Sequence, residues 1–304
     1  MLRMNHFTLA LLALVLPGLA RAQDAYTWMG SGLPVLGAHI SSFSYGVQLS
    51  PNGTTVTEQP LVLRRRLDPD SQLLYGTFAQ GTALANTGLG FRQSTSPMPN
   101  GHVLLASVQH QSLSVDINKV NLSGEWQVFE QYSLRTTGLT PTTARAPSTP
   151  NVVPFTFRSV QVIAAGLDKV FPSTGDSFVL GVNFGLEHPV TSAGALGSAT
   201  RALPLVISRR AFLIPGLDNA LFMDGVRTQR TVPLLTLKLT TVAPVGTPPK
   251  TVEWRFYDVG FTSSRTVGAG AGSPDLPVEQ LSFSYKRLEF VGTTGAVTTF
   301  NVTN

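Results

Sequence analysis

Period-two alternation of apolar and polar positions runs through most of the chain. Leu61, Leu63 and Arg65 alternate with Val62, Arg64 and Arg66. Leu235, Leu237 and Leu239 alternate with Thr236, Lys238 and Thr240, and Leu281, Phe283 and Tyr285 with Ser282, Ser284 and Lys286. Successive side chains of a strand point to opposite faces, so each run places one face on a core and the other in solvent. Gly, Pro, Asn and Ser clusters separate these runs, and β-branched and aromatic residues fill them. The expected class is all-β.

Two short stretches switch to helical spacing. Asp70 or Ser71 can cap a helix through Leu73, Leu74, Phe78 and Ala79 that closes at Gly81. Asp218 or Asn219 can cap a second through Leu221 and Phe222, with Gly225 as its stop.

These elements recur in order. Ser42-Phe43-Ser44-Tyr45-Gly46-Val47-Gln48 matches Ser177-Phe178-Val179-Leu180-Gly181-Val182-Asn183, an offset of 135 (177 − 42). Pro60 to Arg66 matches Pro204 to Arg210 at 144 (204 − 60), and Leu73-Leu74 matches Leu221-Phe222 at 148 (221 − 73). Leu89 and Phe91 match Leu237 and Leu239 at that same 148. The chain reads as a tandem duplication, domain 1 over 23–135 and domain 2 over 155–304. The Pro/Thr-rich stretch 136–154 between them reads as a linker. Each domain is expected as a small β-barrel or sandwich with one short helix, and Gly268 to Pro274 as a flexible loop within the second.

The N-terminus carries the pattern of a signal peptide over 1–22: Arg3, an apolar run from Phe7 to Leu16, Pro17-Gly18, then Ala20-Arg21-Ala22. That run is shorter than the roughly 20 residues a membrane helix needs. Cleavage after Ala22 leaves 282 residues (304 − 22) and removes Arg3 and Arg21, so the net charge falls from +5 to +3. Without a dense basic face, a nucleic-acid partner is not expected. The chain has no cysteine, which excludes thiol catalysis, disulfides and cysteine-based metal sites. No span is expected in the mature chain, and the location is periplasmic or secreted.

Catalytic patterns are missing from the sequence. His39, His102, His110 and His188 show no metal-ligand spacing; His102 and His110 on a straight strand stand about 26 Å apart. Asp68 and Asp70 flank a proline ahead of a helix, which is turn and cap chemistry. Gly268 to Ser273 lacks the strand-loop-helix context of a phosphate cradle. No catalytic, cofactor or metal site is expected. Arg64, Arg65 and Arg66, echoed by Arg209 and Arg210, read as solvated strand ends whose charges discourage edge pairing; a basic ring lining a lumen or binding an acidic neighbour is the other reading. Gly46 and Gly181 read as bends or bulges inside strands, so Gly46→Val is expected to misfold domain 1.

The motif order resembles the Hcp family, the haemolysin-coregulated tube proteins of type VI secretion systems. The matching segments are Ser42 to Val47, Leu61 to Arg66, the Asp68-to-Ser71 helix entry, the helix to Gly81, and the final run Val278 to Phe290. Domain 1 departs at Glu125 to Phe129, whose register the pattern leaves open, and domain 2 has Phe212 to Gly216 at the helix entry. The resemblance implies tight barrels assembling into six-membered rings that stack as a tube. A tandem copy then implies three chains per pseudo-hexameric ring, and a secreted passenger protein is a possible partner. Extended arms at Pro51 to Gln59 or Thr191 to Ala202 are candidates for pairing with a neighbouring copy. The function expected is that of a non-enzymatic structural protein; the alternative is a periplasmic or surface module binding carbohydrate or protein without the ring.

Overall fold

Alternation becomes burial wherever the two can be compared. In the computed structural model Leu61, Leu63 and Arg65 are buried while Val62, Arg64 and Arg66 are half-buried. Leu235, Leu237 and Leu239, and likewise Leu281, Phe283 and Tyr285, are buried as their spacing requires. The structure describes residues 24–28, 38–49, 56–81, 83, 87–92, 99–120, 124–136, 138–142, 153–165, 179–191, 195–210, 219–268 and 277–303. The expected signal segment 1–22, Phe178, Phe212 to Gly216, 143–152 of the expected linker and 269–274 of the glycine-rich stretch lie outside the described residues.

In chain order the elements are β1 (Asp24–Trp28), β2 (Ala38–Ser44), β3 (Val47–Leu49), β4 (Val56–Glu58), β5 (Leu61–Arg66) and α1 (Ser71–Gln80). Then come β6 (Thr87–Arg92), β7 (Pro99–Ala106), β8 (Gln109–Val120), β9 (Glu125–Arg135) and β10 (Gly138–Thr142). After these follow β11 (Phe157–Ala164), β12 (Val179–Glu187), β13 (Arg201–Arg210) and α2 (Asn219–Arg227). The chain ends with β14 (Thr231–Thr241), β15 (Thr251–Val267), β16 (Val278–Ser284), β17 (Arg287–Val291) and β18 (Val297–Asn301). The class is all-β, with two short helices among the described residues.

Two compact units divide the chain, and neither is continuous in sequence. Unit 1 takes residues 1–63, 83–109 and 135–152; unit 2 takes 64–82, 110–134 and 153–304. Unit 1 holds an antiparallel sheet in the order β10-β7-β6-β1-β2, with β3 and β4 as a separate hairpin. Residues 138–142, expected within a weakly structured linker, form β10 against β7, with Leu139 opposite Leu105. Threonine suits the pleated backbone of a strand once a partner is present. The expected arm 51–59 also folds on its own chain in its described part, since Val56 to Glu58 pair with Val47 to Leu49.

In unit 2, neighbouring strands follow the circuit β8-β9-β11-β14-β15-β16-β13-β12 and return to β8. Closure rests on β12 against β8 (Val182 opposite Ile117) and on one residue pair between β11 and β9, Phe157 opposite Trp126. A closed circuit leaves its member strands no free edge. Strands from both sides of 136–154 therefore share one barrel, and the units divide the chain differently from the sequential domains expected from the repeats. The core is aromatic: Phe184, Trp254, Phe256 and Tyr285 interlock edge to face at ring separations of 5.0–5.7 Å. The residues of 195–202, in the second expected arm, are likewise tied to their own chain, because the Thr303 N–H donates to the Thr200 carbonyl at 2.8 Å.

Both helices pack on unit 2. Helix α1 has Asp70 at its N-cap and ends on Gly81 at φ 61°, a left-handed cap that glycine adopts without steric cost. Its Tyr75 stacks on Phe290 at 4.3 Å. Helix α2 does not stop at Gly225 but runs to Arg227. A Cβ at Gly225 would lie 3.1 Å from the Phe261 ring, so the glycine permits close seating instead of ending the helix.

Candidate functional site

Four charged residues occupy the apolar faces of alternating strands: Arg65 on β5, Glu130 on β9, Arg209 on β13 and Glu279 on β16. Each is at most 3% exposed. The fold pairs them by sign. Arg209 donates through Nε and Nη2 to one oxygen of Glu279 at 2.8 and 2.7 Å, and Ser264 donates to the other at 3.0 Å. Arg209 and Glu279 are direct cross-strand partners, so the register itself delivers the contact.

The Arg65 site is larger. Its guanidinium reaches the Asp68 carboxylate and lies 3.4 Å from Glu130 Oε2 through Nε. Ser71 Oγ donates to Glu130 Oε2 at 2.9 Å and accepts from the Asp68 N–H at 3.1 Å and from Arg65 at 3.4 Å. The Asp70 N–H donates to Asp68 Oδ1 at 2.8 Å. The Asp68-to-Ser71 entry of α1 is thus a ligand set for Arg65, assembled by the turn that starts the helix. Tyr75, Tyr132 and Trp254 are also fully buried, and Glu130 acts on both phenols.

Burial pushes the Glu130 carboxyl up to about 7, against the opposing pull of Arg65. Burial also works against the Arg65 charge, but Glu130 and Asp68 outweigh it and hold the guanidinium above its ordinary value. Tyr75 and Tyr132 are pushed well above the usual phenol range, first by burial and then by Glu130. Removing ions from water costs several kcal/mol each, so such groups act as structural braces whose parts depend on one another.

Arg65 and Arg209 are not the solvated strand ends expected: both are buried and ion-paired, because alternation puts them on the core face. Arg66 donates to the Phe155 carbonyl at 2.9 Å and to Thr156 Oγ1 at 3.0 Å. Arg64 lies over the Phe129 ring at 4.3 Å and 3.9 Å from Asp116. Arg210, at the end of β13, is exposed.

The glycines also divide. Gly181 adjoins a register shift between β12 and β13, the bulge its position suggested. Gly46 sits between β2 and β3, not inside a strand, and a Cβ there would meet Gln59 at 3.7 Å, an ordinary contact. Its substitution is therefore not barred by backbone strain or by crowding against the first carbon. Phe43 is half-buried on β2. His39 and His102 lie on β2 and β7. His110 and His188 are both buried.

Among the described residues, no group of three or more His, Cys, Asp or Glu side chains could hold a metal ion, and no helix is long and apolar enough to cross a membrane. No family model matches the chain, and no curated protein matches it. Solved structures do share partial likeness. The chain is similar to a mutant form of the Hcp1 protein from the E. coli EAEC 042 pathovar at 12% identity, over 47% of this chain and 95% of that one, with a TM-score of 0.37. A type six secretion system protein aligns at 20% identity over 47% and 90%, TM-score 0.34. The secreted protein Hcp3 from Pseudomonas aeruginosa aligns at 9% identity over 47% and 98%, TM-score 0.32.

Proposed function

We propose that this chain is a non-enzymatic structural protein of Hcp type that is exported and self-associates into rings. The observation that carries the reading is the shared fate of the two motif copies. Arg65 and Arg209 stand 144 residues apart, at matching positions, and each is buried against a glutamate of another strand. A duplicated unit whose brace survives in both copies accounts for this pairing. The copies then interleave in space, and three chains supply six pseudo-equivalent motif sets to one ring.

The barrel's closed circuit directs association to faces and loops instead of strand edges. The β14–β15 loop is suited to such contact: Val242 and Val245 are exposed there, Val245 completely, among Pro244, Pro248 and Pro249. The test is the mass of the purified mature protein by light scattering, together with negative-stain images. Rings of threefold or pseudo-sixfold symmetry are expected. A concentration-independent monomer overturns the ring and leaves the binding-module alternative.

A further inference from the structure

His188 follows β12 and lies beneath the C-terminal end of α1, 4% exposed. Both of its ring nitrogens face backbone carbonyls: Nδ1 is 3.3 Å from the Ala199 oxygen and Nε2 is 3.3 Å from the Phe78 oxygen. A carbonyl can only accept. A neutral imidazole carries one N–H, so it satisfies one of these contacts and turns a lone pair on the other; the imidazolium satisfies both. Phe78 belongs to the last turn of α1, where carbonyls carry the negative end of the helix dipole and favour a cation. The Phe78 ring also stacks on His188 at 4.7 Å and 29°, presenting its negative face.

The second histidine of the cluster has the opposite arrangement. His110 on β8 touches the other side of Phe78 at 5.9 Å. Thr77 Oγ1 donates to the Leu74 carbonyl at 2.9 Å, so its 3.2 Å contact with His110 Nε2 needs the proton on that nitrogen. His110 Nδ1 is buried with no partner among the described residues, which suits a bare lone pair. Tyr132 on β9 packs behind His110 at 5.8 Å. Burial, and next the charge on His188, push His110 down to about 4.

We propose that His188 acts as an imidazolium clasp: it ties the C-terminal end of α1 to the segment leading into β13, and its hold depends on its proton. Two carbonyls, one helix terminus and one aromatic face all favour the cation, against the cost of burial. The clasp is closed when both ring nitrogens carry protons. With one nitrogen bare, one of its two bonds is replaced by lone-pair repulsion, and the end of α1 loosens.

The test uses the full chain. In wild type, long-range ¹H–¹⁵N spectra at pH 6 are expected to show one histidine with protons on both ring nitrogens, its signals vanishing in His188→Gln. At pH 6 the thermal midpoint of His188→Gln is expected to lie about 2–4 °C below wild type, the scale of about 1 kcal/mol in a domain of this size. A bare ring nitrogen on His188 at pH 6 overturns the proposal, as does an unchanged midpoint in His188→Gln. If His188→Gln does not fold, the wild-type spectrum, assigned through contacts to Phe78, decides alone.

Discussion

Replacing Arg65 with methionine tests whether the brace at α1 works as described. The substitution keeps most of the stem volume and removes the cation from Glu130, Asp68 and Ser71. Breaking a buried pair by removing one partner costs about 3–5 kcal/mol. Its pH dependence is the sharper signature. Glu130 is fully buried with its carboxyl at about 7, against 4.5 for the free group. A carboxyl raised in the folded state contributes stability that is present at low pH and lost as pH rises through 7. Without Arg65 that carboxyl moves higher still, so the variant goes on losing stability above pH 7 where wild type has levelled off. Each pH unit in that range is worth about 1.4 kcal/mol, so the cost of Arg65→Met is expected to be about 1.4 kcal/mol larger at pH 8 than at pH 6. Urea unfolding followed by tryptophan fluorescence measures this, because Trp126 and Trp254 are both fully buried in unit 2. An equal loss at the two pH values, or a loss below about 1 kcal/mol at both, refutes the reasoning.

Three further outcomes follow from packing and burial. Gly185→Ala is expected to cost about 1–3 kcal/mol, because the new Cβ falls 2.6 Å from the Leu113 carbonyl oxygen and the strand backbone has to shift. Gly46→Ala is expected to stay within about 0.5 kcal/mol; urea midpoints that reverse this ranking count against it. His110→Gln is expected to flatten the acid limb. With His110 held at about 4 against 6.5 for the free group, the wild type loses about 3 kcal/mol as pH falls between those values, and the variant does not. Unchanged acid-limb slopes in denaturation curves contradict the assignment.

How much was legible depends on the range of the interaction. The alternation along Trp126, Val128, Glu130, Tyr132 and Leu134 puts Glu130 on the apolar face, and the runs holding Arg65, Arg209 and Glu279 say the same of those residues. Four inward charges, two of each sign, were therefore present as a signal. Phase along the strand, not residue type, decides which of the arginines meet solvent. Gly46 failed for a related reason: its place between two strands depends on where β2 ends, which hydrogen bonding to Gln59 decides.

The sequence by itself determined the all-β class, the sites of both helices, the Gly81 cap and which side of each strand meets the core. These depend on periods of two and 3.6 residues and on local backbone preference, so neighbours in sequence suffice to set them. Tertiary structure decided which strands meet. Pairing β12 with β8 and β11 with β9 joins segments from both sides of the expected linker, β5 beside β9 brings Arg65 to Glu130, β13 against β16 brings Arg209 to Glu279, and the packing of α1 brings its end to His188. Periodicity says that a face is buried but not against what, because every apolar strand face is an acceptable partner for every other until register, volume and charge are satisfied together.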